Sequence, residues 1–401
     1  MIQLEHLTKN FDTPEGVVTA ADNIDMKVAE GEICVLLGPS GCGKTTTLKM
    51  INRIIPATSG RVLINGEDTA GLDTITLRRN IGYVIQQIGL FPNMTIEDNI
   101  CVVPKLLGWD KKRYLARAAE LLDMVALDPK TFLKRYPREL SGGQQQRVGV
   151  IRALAGDPPV MLMDEPFGAI DPINREIIQD EFLKMQQALK KTVIFVSHDI
   201  DEAVKMADKI AIFDAGKLIQ FASPDRTLAH PTNDFVKNFV GTDRTLKRLR
   251  LVKVADVMVA TPSTVRPTDS LKHALQLMER RDYNAITMVD TNNHPIGTVY
   301  RSLAQTTQGN CGDHYYGLRA IANINDDLRT VASRMFTYDT TWMPCVDNQG
   351  VFCGEISQRG ITHYLSATYR EANTARPSGT VHPHPAIHEA NPEQDVPHGQ
   401  I

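Results

Sequence analysis

The sequence predicts a large α/β domain with a mainly parallel sheet, followed by a smaller α+β module made from an internal repeat. Three observations carry this. Short apolar runs alternate with helical patterns through residues 1–240. One glycine-rich segment, Gly38-Pro39-Ser40-Gly41-Cys42-Gly43-Lys44-Thr45, lies between such a run and a helix. Beyond residue 254, apolar positions recur at an offset of about 57 residues.

The chain opens on strand-like alternation, with Ile2, Leu4 and Leu7, then Ile24, Met26 and Val28, around a turn-rich stretch at Asp12-Thr13-Pro14-Glu15-Gly16. Ile33-Cys34-Val35-Leu36-Leu37 has the length and apolar character of a buried strand. The glycine segment follows it, and Thr46 continues into a helix. Glycines let the backbone turn tightly and aim successive N–H groups at phosphate oxygens, and the helix N-terminus adds its positive end. Residues Gly38 to Thr46 therefore read as a nucleotide phosphate cradle. Lys44 is placed to reach the β- and γ-phosphates, and the Thr45 hydroxyl to hold Mg²⁺. Residues 60–66 and 81–86 are further strand patterns. Residues 95–140 turn helical, with Leu115, Ala118, Ala119 and Leu122 on one face. Val160-Met161-Leu162-Met163-Asp164-Glu165 is an apolar strand ending in two acids. Asp164 fits a Mg²⁺-holding carboxylate and Glu165 a general base for an attacking water. A helix over 172–190 and the strand Thr192-Val193-Ile194-Phe195-Val196 complete the alternation.

A net charge of −3 gives no bulk electrostatic reason to expect nucleic acid as a partner. The six cysteines contain no C-x-x-C pair, which removes the zinc and thioredoxin signatures. No signal-like segment opens the chain and no run approaches a membrane span, so a reducing cytosolic setting is expected. The basic stretch 243–253 (Arg244, Lys247, Arg248, Arg250, Lys253) reads as a linker, either a solvated face or one drawn to an anionic membrane surface. In the module beyond it, Leu271, Ala274, Leu275 and Met278 are reproduced by Leu328, Val331, Ala332 and Met335. Val289-Asp290 recurs as Val346-Asp347, and Gly297 as Gly354. From Thr368 apolar periodicity stops. Alternating prolines and histidines replace it, and a disordered tail over 368–401 is expected.

Leu140-Ser141-Gly142-Gly143-Gln144 supplies a second glycine-led helix start, hence a second anion-binding terminus. Two such ends in one chain are both used if two copies pack head to tail, each closing the other's nucleotide. With this segment the sequence resembles the ATP-binding cassette (ABC) family of transporter ATPases, over residues 1–242. The resemblance implies a P-loop NTPase domain of RecA-like core plus helical subdomain. It also implies ATP and Mg²⁺ as cofactors, hydrolysis coupled to transport, and location on the cytoplasmic face of the membrane through permease subunits. It further implies adenine stacking on Phe11, Mg²⁺ and water contact by Gln86, a D-loop at Gly168-Ala169-Ile170-Asp171, and γ-phosphate contact by His198. Ser141 and Gly143 would act in trans on the partner copy's nucleotide.

The repeat resembles a tandem pair of CBS domains, over 254–306 and 318–367. Importer ATPases with such a pair resemble those for quaternary-amine osmoprotectants such as glycine betaine and choline, which work with an extracytoplasmic solute-binding protein. Where CBS pairs bind adenosine nucleotides through a Ser/Thr and an Asp, this chain has Tyr300 and Leu303, then Ser357 and Gly360. The ribose-binding Asp is missing, which favours a structural or ionic-strength-sensing role. An importer for another small solute, a soluble cassette ATPase without transport, and a regulatory module on a degenerate ATPase are the competing readings.

Overall fold

A computed structural model describes residues 1–374 apart from 87–88, 169, 261–262 and 282. Among these, the ATPase half holds two sheets. A six-stranded sheet places Ile33–Leu37 centrally, between Thr192–Val196 and Lys209–Asp214. Val160–Asp164 and Ile81–Val84 continue it on one side in parallel register, and Lys217–Ala222 closes the other as an antiparallel edge. All five residues of Ile33–Leu37, Val160–Asp164 and Thr192–Val196 are buried. Strands covered on both faces are expected to be continuous apolar runs.

Alternation along these strands feeds two cores. Val35, Leu37, Met161, Met163 and Phe195 point into a cluster shared with the helices. Leu36, Leu162, Ile194 and Val196 point into the other, shared with a four-stranded sheet. That second sheet, which the sequence pattern does not separate from the first, is antiparallel. Ile2–Thr13 pairs with both Gly16–Val28 and Ser59–Ile64, and Glu67–Asp68 extends it. The helical stretch 95–140 resolves into Ile96–Leu106, Lys111–Met124 and Pro129–Phe132, capped by Thr95, Asp110 and Asp128.

The repeat is visible as two strand–helix–hairpin units. Thr264–Val265 pairs parallel to Ala285–Val289, which pairs antiparallel to Pro295–Tyr300. Ala322–Asn323, Trp342–Val346 and Phe352–Ser357 repeat that arrangement. The units are intertwined: Val259–Ala260 pairs with Phe352–Ser357, and Val254 packs in the second unit's core. Thr287 Oγ1 donates to Glu355 Oε1 across the two units at 2.7 Å. Burial holds the Glu355 carboxyl above the usual carboxylate range, with the Thr287 hydrogen bond opposing. An acid whose folded pKa is raised costs stability in full above that pKa; the cost shrinks as pH falls below it and is gone at the unfolded value. Glu355→Gln is therefore expected to raise the unfolding temperature at about pH 8, with the gain closing toward about pH 4.5. A gain of equal size at both pH values would contradict this.

Two sequence expectations change here. The basic stretch 243–253 is not wholly a solvated face: Arg244 is half-buried and Lys253 exposed, but its middle turns inward. Lys247 and Arg248 are 8% and 4% exposed. Lys247 Nζ meets Asp243 and the Val240 carbonyl, and Arg248 pairs with Asp225 at 2.8 Å. Lys247 is paired within the stretch, one helical turn from Asp243, whereas Arg248 takes its partner from Asp225, 23 residues earlier, where a local charge count does not see it. The last helix, Gln358–Thr374, runs past the expected start of the tail at residue 368. The rest of the Pro/His-rich segment lies outside the described residues.

Candidate active site

Parallel strands ending together bring their C-terminal loops to one edge, where open α/β sheets hold ligands. Leu36 and Asp164 both lie beside Val196 in register, so the glycine loop, the two acids and His198 share that edge. In the loop, Gly38 has φ 146° and Gly43 φ 99°. A Cβ at Gly38 would lie 2.2 Å from the Phe213 carbonyl oxygen, and one at Gly43 2.1 Å from that of Ala20. Only glycine fits either position. Pro39, Ser40 and Gly41 are exposed at the tip, Cys42 is buried, and Thr45 and Thr46 are half-buried. Lys44 opens the helix Lys44–Ile51 and is 6% exposed; its Nζ donates to the Gly38 and Pro39 carbonyls, each at 2.8 Å.

Thr45 Oγ1 donates to Asp164 Oδ1 at 2.8 Å. Burial pushes the Asp164 carboxyl above its ordinary range; the Thr45 hydrogen bond opposes, and the neighbouring Glu165 adds to the rise. Burial, with the Asp164 charge second, pushes the Tyr83 hydroxyl up to about 12. The Thr45 hydroxyl and the Asp164 carboxylate meet as hard-oxygen donors, the chemistry that suits Mg²⁺.

Glu165 follows its strand in a left-handed conformation, φ 48°, with its N–H bonded to the Val196 carbonyl at 3.1 Å. A non-glycine residue held there is strained, and such strain gathers at functional sites. The turn directs Glu165 Oε2 at two partners: Gln86 Nε2 donates to it at 2.8 Å and His198 Nε2 lies 3.3 Å away. Phe167, buried edge-on against Phe182 and Phe195 with centroids 6.1 Å apart, anchors the chain just past Glu165. Five predicted residues (Thr45, Gln86, Asp164, Glu165, His198) thus touch in sequence.

Ser141, Gly143, Asp171 and Phe11 lie on other elements. Ser141 caps the helix Gly142–Leu154 in a capping box with Gln144, its Oγ accepting from the Gln144 N–H at 3.4 Å. Ser141, Gly143 and Asp171 line an open concavity of about 660 Å³ with Ile170 and Arg147. Phe11 is 37% exposed on the antiparallel sheet, with Lys9 Nζ 4.9 Å above its ring. Of the D-loop, Ala169 lies outside the described residues.

Residues 21–168 match the family model described as ABC transporter, and residues 254–302 that of the CBS domain. The osmoprotectant import ATP-binding protein OsmV of Salmonella typhimurium is 60% identical, over 92% of this chain and 97% of its own. The chain belongs to the ABC transporter family.

It is the family's ATP-hydrolysing type of subunit. The glycine betaine/carnitine/choline transport ATP-binding protein OpuCA of Bacillus subtilis is 44% identical over 90% of this chain and 95% of its own. The ATP-binding cassette MJ0796, solved as a dimer in a post-hydrolysis state bound to ADP and Pi, aligns with a TM-score of 0.51 and 34% identity. That alignment covers 56% of this chain and 99% of the cassette.

Sequence reasoning missed the residues that brace this ATPase site from behind. Gln146, 4% exposed on the signature helix, donates to the Pro166 carbonyl, next to Glu165. Arg152, further along that helix, donates to the Gly89 carbonyl and lies 5.5 Å over the Phe91 ring, holding the loop that follows Gln86. Nothing local marks Gln146 or Arg152. The signal lies only in partners tens of residues away.

Proposed function

We propose that this chain is the energy-coupling ATPase of an importer for quaternary-amine osmoprotectants, glycine betaine and choline being the type. The carrying observation is the 60% identity to an osmoprotectant import protein that spans the ATPase and the CBS repeat together. In this reading Lys44 and the N–H groups of residues 38–46 bind the phosphates, and Phe11 stacks on adenine. Thr45, Asp164 and Gln86 hold Mg²⁺, which supplies charge neutralisation at the phosphates. Glu165 takes a proton from the attacking water, and Gln86 and His198 orient the water and the γ-phosphate. The 2.8 Å and 3.3 Å contacts of Glu165 to Gln86 and His198 support that division of roles.

The reading requires a second copy. On this reading Ser141, Gly143 and Asp171, which line a concavity that does not include Lys44, complete the nucleotide site of the partner. It also requires permease subunits, since among the described residues no helix is long and apolar enough to cross a membrane. Ile85, Phe91 and Met94, each more than 40% exposed on the segment after the Ile81–Val84 strand, form the apolar surface offered to them. The protein then sits on the cytoplasmic face of the membrane, supplied with solute by an extracytoplasmic binding protein. In the CBS pair, the Tyr300 ring packs edge-on to Tyr316 at 5.3 Å, and the ribose-binding Asp is missing. This favours a structural or ionic-strength-sensing role over adenosine binding.

The test is uptake by the complex with its permease in liposomes loaded with ATP. Labelled glycine betaine or choline is expected to accumulate, and Glu165→Gln to stop it. Hydrolysis stimulated by a different class of solute, with no quaternary amine taken up, would overturn the substrate assignment.

A further inference from the structure

Four residues, 249–252, splice the CBS pair to the ATPase with side chains divided between them. Leu249 and Val252 are buried in the core of the second repeat unit. Between them, Leu251 packs against the large ATPase core, and Arg250 Nη2 meets Glu176 Oε1 at 3.3 Å. The backbone is held as well. The Leu249 carbonyl accepts from the Arg329 N–H at 3.3 Å and the Val252 carbonyl from the Leu328 N–H at 3.0 Å. Leu328 begins the second unit's helix, Leu328–Thr337, so a shift of that helix carries Arg250 with it.

What Arg250 grips leads directly to the site. Glu176 lies in the first turns of the helix Pro172–Leu189, beside Arg175. Arg175 Nη2 donates to the Ile170 carbonyl at 2.9 Å, and Nη1 lies 3.8 Å from Asp199 Oδ2. Ile170 belongs to the D-loop segment and Asp199 directly follows His198. One guanidinium therefore bridges the two loops that flank the hydrolytic cluster, a geometry that its planar fork of donors suits. Lys205 Nζ fixes the same turn from the other side, donating to the Glu176 carbonyl at 3.2 Å and pairing with Asp180 at 2.7 Å.

We propose that the Arg250–Glu176 pair is the link through which the CBS pair governs hydrolysis, with Arg175 as the positioning residue that holds the D-loop and the switch loop. The Glu176 side chain is 64% exposed. Such a pair contributes little to folding and is open to screening by salt, which suits a transmission element better than a structural one. The link rests on the reading that the Glu165 cluster hydrolyses ATP.

The experiment measures kcat and KM for ATP in the full chain assembled with its permease. Arg250→Gln and Glu176→Gln are each expected to lower kcat about fivefold, the low end of coupling between sites, with KM unchanged. The double variant loses no more than either alone, and the reversed pair, Arg250→Glu with Glu176→Arg, returns toward wild type. Arg175→Gln lowers kcat by about tenfold or more and abolishes any further response to Arg250→Gln. Arg250→Lys keeps the charge and most of the rate, which shows that the segment still folds. Wild-type kcat in Arg250→Gln, losses that multiply in the double variant, or no recovery on reversal would overturn the link. Absence of hydrolysis in the wild type would strike the ATPase reading instead.

Discussion

Glu165→Gln is expected to lower kcat for ATP hydrolysis by about 10²–10⁴-fold while ATP binding persists. The substitution keeps the size of the side chain and an oxygen that can accept from Gln86, so the 2.8 Å contact survives. The left-handed turn at residue 165 is set by the Val196 hydrogen bond and by buried Phe167, neither of which involves the carboxylate. What is lost is a proton acceptor, and only the step that needs one should fail. Single-turnover hydrolysis and nucleotide binding, measured on the same sample, separate the two. A loss below about tenfold would mean that another group takes the proton.

Ser141→Arg carries the second large effect, loss of hydrolysis with ATP binding by the isolated chain intact. Ser141 is exposed, and removing its cap costs about 1 kcal/mol, too little to unfold the domain. The phosphate loop of the same chain lies elsewhere, and its Lys44 contacts are local to residues 38–44. A bulky cation at the glycine-led helix start should therefore spare that chain's own nucleotide and block the partner's. Loss of binding in the isolated variant would place Ser141 in its own chain's site.

Chemistry was more legible in the sequence than connectivity. Gly38 and Gly43 leave no room for a Cβ, and Asp164 and Glu165 stand at the end of a buried strand, so residue types and spacing alone point to the phosphate, metal and base roles proposed for them. The pairing of Ile2–Thr13 with Ser59–Ile64 depends on a partner far along the chain, Ile2 lying opposite Ile64, and alternation alone does not choose it. The same blindness explains Arg248, whose burial is satisfied by Asp225 rather than by a neighbouring charge. The 57-residue offset revealed the repeat but not its intertwining, because Val259–Ala260 crosses to the second unit through backbone pairing that leaves no side-chain pattern.

If each nucleotide site is built from two copies, mixing two inactive variants restores activity. Lys44→Ala removes the phosphate lysine and Ser141→Arg the signature contact. A mixed dimer then has one site carrying both defects and one site carrying neither. The mixture is expected to hydrolyse ATP at about a quarter of the wild-type rate, while each variant alone is inert. A mixture as inert as its components would show that Lys44 and Ser141 serve the same chain's nucleotide, and would contradict the composite site.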